Sequence, residues 1–188
     1  MAVYSINEII EMAVQIERNG YAFYNEASKR KDLDDKSCEL ITRNWLRDKE
    51  LYPGLPELSE VKPATELIIW LRDQELEHEK SFLALRDDAE LKSLELSQDW
   101  ELVALYLKTI VEGRIFNSED SAIRRAIEAK NLAEIIDYAI SFEKDTLLYF
   151  QTISNNISYP KAIDVLHKII NEEISHIIKL ADFKKNLS

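Results

Sequence analysis

Glycine, proline and cysteine are scarce in this chain: three, four and one among 188 residues. So few glycines and prolines leave little material for the tight turns of a many-stranded sheet, and no run rich in β-branched residues compensates. A lone Cys38 excludes an internal disulfide, a Cys-x-x-Cys redox pair and a cysteine-built iron or zinc site; it reads as a small buried thiol. Basic residues are outnumbered, 24 against 35 acidic ones, for a formal charge of −11. That balance repels phosphate backbones and anionic membrane surfaces, which excludes nucleic acid and membrane as partners. No stretch approaches eighteen uncharged apolar residues, and "MAVYSINEII" lacks the basic start and apolar run of a leader, so the expected location is the cytoplasm.

What remains is dominated by Leu, Ile, Glu, Lys and Ala, the residues of long helices, and the expected class is all-α. The length suits one domain, 1–188, with a full core; two would each be thin. Ser5 with Glu8 forms a capping box that opens a first helix over about 5–30, ended by "KRKDLDD". In 33–62, "SCELITRNWLRDKELY" predicts a short extra helix, followed by "PGLPELSEVKP", whose prolines break helices. Pro63 suits the first turn of a second long helix, about 63–88. From 90 to 130 the pattern is helical but interrupted near Gly113, as a long crossover with short helices would be. Asn131 with Glu134 opens a third long helix to about 157, and Pro160 starts a fourth, about 160–186. Four long helices with one long crossover predict a four-helix bundle.

Residues three, four and seven apart share a helix face, so the neighbours of each polar residue can be read from spacing. Around Glu173 stand Leu166, Ile169, Ile170, Ile177 and Leu180, with His176 as the one polar companion. Glu75 sits among Ile68, Leu71 and Phe82, again with a histidine, His78, three residues on, and only Arg72 and Glu79 at its flanks soften the pattern. Glu17 lies among Ile10, Ala13, Val14, Gly20, Tyr21 and Tyr24. Glu143 lies among Ile136, Ala139, Ile140, Thr146, Leu147 and Phe150. Each long helix thus carries one glutamate on its apolar stripe, in the order Glu, Glu-x-x-His, Glu, Glu-x-x-His.

When those stripes pack together, four carboxylates and two imidazoles meet in a dry interior. Isolated buried carboxylates are opposed by lost solvation, and four together cannot all stay ionised without compensation. Two divalent cations supply +4 against −4, and neutral imidazoles complete the coordination. Mixed carboxylate and imidazole donors suit iron, with manganese or zinc admitted by the same set. The expected metal ligands are therefore Glu17, Glu75, His78, Glu143, Glu173 and His176. A Glu three residues before a His recurs by chance in acidic helices; the ordered set of four stripe glutamates is what carries the reading. His167, nine residues before His176, falls on the opposite side of its helix, and Glu77, Glu79 and Glu172 read as a solvated face. Tyr21 and Tyr24 are candidates to hydrogen-bond the ligands or pass electrons, although core tyrosines are commoner.

These segments, "IERNGYAFYNEA", "LRDQELEHEKSF", "AISFEKDTLLYF" and "INEEISHIIKL", resemble the four motifs of the rubrerythrin branch of the ferritin-like superfamily. The resemblance covers all four long helices. It implies a ferritin-like bundle with a di-iron carboxylate centre, an oxidoreductase acting on hydrogen peroxide or dioxygen, and a homodimer. Rubrerythrins commonly add a rubredoxin-like module on two Cys-x-x-Cys pairs, which one cysteine cannot build, so an external electron donor is expected. The connection over 36–62 is also longer than the usual one. Three other readings compete: a ferroxidase that passes iron to a store, a di-iron oxygenase with an organic substrate, and a metal-free interaction bundle. A cage ferritin carries a further C-terminal helix, for which the sequence beyond 186 leaves no room.

Overall fold

The computed structural model describes residues 5–30, 63–87, 100–113 and 117–185. Residues 31–62, 88–99 and 114–116 lie outside the described residues, and with them the short helix and loop expected over 33–62. Among the described residues the chain is all-helical: α1 (Ile6–Ala27), α2 (Pro63–Arg86), α3 (Trp100–Glu112), α4 (Glu119–Glu128), α5 (Leu132–Ser154) and α6 (Pro160–Lys185).

The helix starts follow local chemistry. The Ser5 hydroxyl accepts from Glu8 N while Glu8 Oε2 accepts from Ser5 N at 2.7 Å, a closed capping box for α1. Asn131 accepts from Glu134 N at 3.0 Å, but the Glu134 carboxylate reaches one residue further back, to Lys130 N at 2.7 Å. Pro63 and Pro160 occupy the first positions of α2 and α6, where a missing N–H costs nothing. The long helices stop up to three residues before the boundaries expected from periodicity, because α1 and α5 close at the polar caps Ser28 and Asn155.

Helix α1 packs along α2 and α4, and α5 packs along α6; contacts between α1 and α5 and between α2 and α6 join the two pairs. The joint is apolar. Ile9, Ile10, Phe23, Leu71, Phe82, Phe142, Phe150, Leu166 and Leu180 are all buried, each stabilising the fold by roughly 1.5–3 kcal/mol through area removed from water. The rings of Phe82 and Phe150 meet at 4.7 Å, which ties α2 to α5. Tyr149 places its hydroxyl in this core only because Ile9 O accepts from it at 2.9 Å. The crossover is tied down too: Arg30 Nη1 donates to Ala126 O and Ala129 O at the end of α4, at 3.0 and 2.6 Å. No helix among the described residues is long and apolar enough to cross a membrane.

Candidate metal centre

The four long helices each deliver their stripe glutamate to one interior point. Glu17 comes from α1, Glu75 with His78 from α2, Glu143 from α5, and Glu173 with His176 from α6. All four glutamates are 0 % exposed, and the histidines 2 % and 1 %. Three groups from α2, α5 and α6 join His176: Glu75, Glu143, Glu173 and His176 each offer a donor atom within 4.8 Å of the others. Glu17, Glu75 and His78 form a second such group, and Glu75 belongs to both. Glu173 also spans the centre, with Oε1 3.0 Å from His78 Nδ1 and Oε2 3.0 Å from His176 Nδ1. The two imidazoles lie nearly parallel, 5.7 Å apart.

Only part of this proximity is hydrogen bonding: His176 Nδ1 and Glu173 Oε2 pair at 3.0 Å. His78 Nδ1 has Glu173 Oε1 at 3.0 Å and Glu17 Oε2 at 3.4 Å, yet neither contact is aligned as a hydrogen bond. Both oxygens of Glu17, both of Glu75, Glu143 Oε2, Glu173 Oε1 and His176 Nε2 are likewise buried without a hydrogen-bond partner among the described residues. Leaving one buried polar atom unsatisfied costs about 1–3 kcal/mol, more for a charged group, and here the unpartnered carboxylate oxygens gather in one cluster. A set of hard oxygen donors with two imidazoles is what a divalent ion of the iron, manganese or zinc type binds, so these groups can hold a metal ion.

Space for them comes from Gly20 on α1. A Cβ there would lie 2.6 Å from the Phe142 ring and 2.7 Å from Glu75 Oε2. Periodicity places Gly20 beside Glu17 but says nothing of α2 and α5 approaching this closely, so its role was invisible in the sequence. Tyr24 Oη donates to Glu143 Oε1 in a short hydrogen bond and is itself buried. Tyr21 is half-buried, and of the two candidates Tyr24 is the one with a hydrogen bond to the cluster among the described residues. His167 is exposed, as its spacing from His176 requires. Glu77 and Glu79 pair with Lys80 and Arg18 outside the cluster.

Glu172 corrects the sequence reading. It is not merely part of a solvated face, because its Oε2 lies 3.1 Å from His78 Nε2, on the far side of the ring from the carboxylates. Only the approach of α2 brings the two together. Trp70, half-buried, carries no signal in the spacing pattern, yet its ring stands nearly perpendicular to that of His176 with centroids 5.1 Å apart, while Lys179 Nζ lies 3.7 Å from the indole centroid.

Without a cation, protons must balance the cluster. Burial pushes Glu75 well above the usual carboxylate range, reinforced by Glu17, Glu143 and Glu173; Glu17 is raised by burial as well, and Glu143 by burial and Glu173 to about 8. Burial works against charge on the imidazoles, but Glu173, Glu17 and Glu172 hold His78 well above its ordinary value, and Glu143 with Glu173 raises His176 to about 9. Glu173 alone goes the other way, its burial outweighed by the two imidazolium charges.

Groups with a raised folded pKa keep protons that the unfolded chain gives up. Their stability contribution is complete below the unfolded values, 4.5 for the carboxylates and 6.5 for the imidazoles, and is lost as pH rises through about 8 and 9. The metal-free protein is therefore expected to lose about 5–10 °C of Tm between pH 6 and 9. The metal-loaded protein, its carboxylates already ionised against cations, should change far less. Parallel melts with and without chelator check this; equal slopes would contradict it. Set against family models, curated proteins and solved structures, the chain matches none.

Proposed function

We propose that the six residues hold two iron ions and that the protein is a rubrerythrin-like di-iron carboxylate oxidoreductase of ferritin-like architecture, reducing hydrogen peroxide or dioxygen with electrons from an external donor. One observation carries the reading: two groups of potential ligands, each with its own histidine, share Glu75. Glu17 and His78 would serve one ion, Glu143 and His176 the other, with Glu75 and Glu173 between them.

Bound iron would supply the electrons for peroxide reduction by cycling between its ferrous and ferric states. The chain's own part is positional and protic. Phe23, Phe82, Phe142 and Phe150 are fully buried in the same core as the four carboxylates, which are themselves 0 % exposed, so bulk water is kept from them. Tyr24 orients Glu143 through its hydroxyl, and burial together with the Glu143 charge raises its pKa well above 10, so it keeps that proton at neutral pH. Reduction of peroxide to two waters consumes two protons. The His78–Glu172 hydrogen bond would not carry them, because it holds the ring with Nε2 toward a carboxylate that is 35 % exposed and leaves Nδ1 facing the cluster as a donor atom; the protons would enter with the substrate or its water.

The test is direct. Protein purified without chelators should carry about two ions per chain, and the iron-loaded, reduced protein should be oxidised by peroxide in a fast two-electron phase under stopped flow. A rate no greater than that of free ferrous iron would overturn the proposal. Oxidation followed by accumulation of iron far above two per chain would favour the ferroxidase instead.

A further inference from the structure

The two halves of the cluster are alike in their inward-facing groups and unlike behind them. His78 on α2 has Nε2 held by Glu172 on α6, the residue before Glu173, at 3.1 Å. Lys168 Nζ lies 3.9 Å from the other Glu172 oxygen and one turn away on the same helix. The corresponding position on α2, the residue before Glu75, is Gln74, neutral and half-buried. It makes no hydrogen bond to His176, whose Nε2 is buried without a partner among the described residues. In place of a carboxylate, His176 has the Trp70 ring, nearly perpendicular to its own with centroids 5.1 Å apart, and the Lys179 ammonium lies 3.7 Å from that indole's centroid.

A carboxylate accepting from the outer N–H of a ligating imidazole fixes its tautomer and ring orientation and makes the inner nitrogen a stronger donor. An imidazole packed on an indole, its outer nitrogen without a hydrogen-bond partner among the described residues, receives neither benefit, and the nearby cation opposes further positive charge. Equivalent donors therefore do not make equivalent sites. Resting on the di-metal reading above, we infer that the two metal positions are unequal and fill in order: the His78 position first and tightly, the His176 position second and more weakly, with Glu172 as the positioning residue that sets the difference.

The experiment is an anaerobic titration of the chelator-treated full chain with Co²⁺, followed by absorption and by proton NMR. The wild type should bind two ions in steps separated by at least ~10-fold, and the hydrogen-bonded Nε2–H of His78 should give a paramagnetically shifted resonance during the first. Glu172→Ala should weaken the first step by about 10–100-fold, the usual cost of losing such a partner, and leave the second within about threefold. Glu172→Gln retains an acceptor without the charge and should fall between the two. A residue needed only for folding would weaken both steps together and lower the melting temperature, whereas the inference requires a selective loss. Two equal steps in the wild type, parallel weakening of both steps in Glu172→Ala, or a His78 resonance that appears only in the second step would each overturn the inference while leaving two bound ions in place. Absence of any Co²⁺ binding would overturn the di-metal reading along with it.

Discussion

Glu75→Gln is expected to abolish stable metal binding, lowering the affinity for both ions by at least ~100-fold, because losing even an outer hydrogen-bond partner of a ligand costs 10–100-fold and this residue is shared by both groups. Peroxide-driven oxidation should vanish with it. Glutamine keeps the size and shape of the side chain, so the helices should still assemble. The same variant should gain stability in the metal-free state. Burial and three neighbouring carboxylates hold the Glu75 pKa well above normal, which means that its carboxylate opposes folding once it ionises. Removing it should raise the Tm of the metal-free protein at pH 8 by about 2–5 °C. Elemental analysis after gel filtration, with a melt on the same sample, reads both effects. Metal content equal to wild type would show that Glu75 is not a shared ligand.

Gly20→Ala should produce the second large effect, and its sign is diagnostic. On an exposed helix face, replacing glycine by alanine stabilises by about 1 kcal/mol. Here the added methyl would press on the Phe142 ring at 2.6 Å and on Glu75 Oε2 at 2.7 Å. Neither can withdraw freely, since Phe142 is buried and Glu75 is held inside the cluster. The expected result is a net loss of about 1–3 kcal/mol from overpacking. Because Glu75 must shift, metal affinity should also fall by at least ~10-fold. Denaturant titration of the metal-free variant separates the packing effect from the loss of binding. A variant more stable than wild type, with metal affinity intact, would contradict the close approach of α1, α2 and α5.

Much of this arrangement was legible along the chain. Ser5, Pro63, Asn131 and Pro160 mark helix starts through their own backbone chemistry, which needs no tertiary context. The buried cluster was legible because a glutamate on an apolar stripe conflicts with its surroundings, and spacing alone identifies the conflict at Glu17, Glu75, Glu143 and Glu173. Residues whose roles arise between helices were not. Gly20 matters through Phe142 and Glu75, both distant in sequence. Glu172 lies one position off its stripe and reads as solvated until α2 lays His78 Nε2 against it. Trp70 gains significance only from the edge contact with His176. Periodicity on one helix cannot specify what a second helix brings to it.

The central claim is most directly tested by anomalous scattering at the iron edge from crystals of the protein loaded anaerobically with ferrous iron. Two peaks about 3.5–4 Å apart, flanked by Glu75 and Glu173 with His78 beside one and His176 beside the other, are the predicted result. A cluster with no anomalous peak at full iron exposure, its six side chains joined to each other by protons alone, would contradict it.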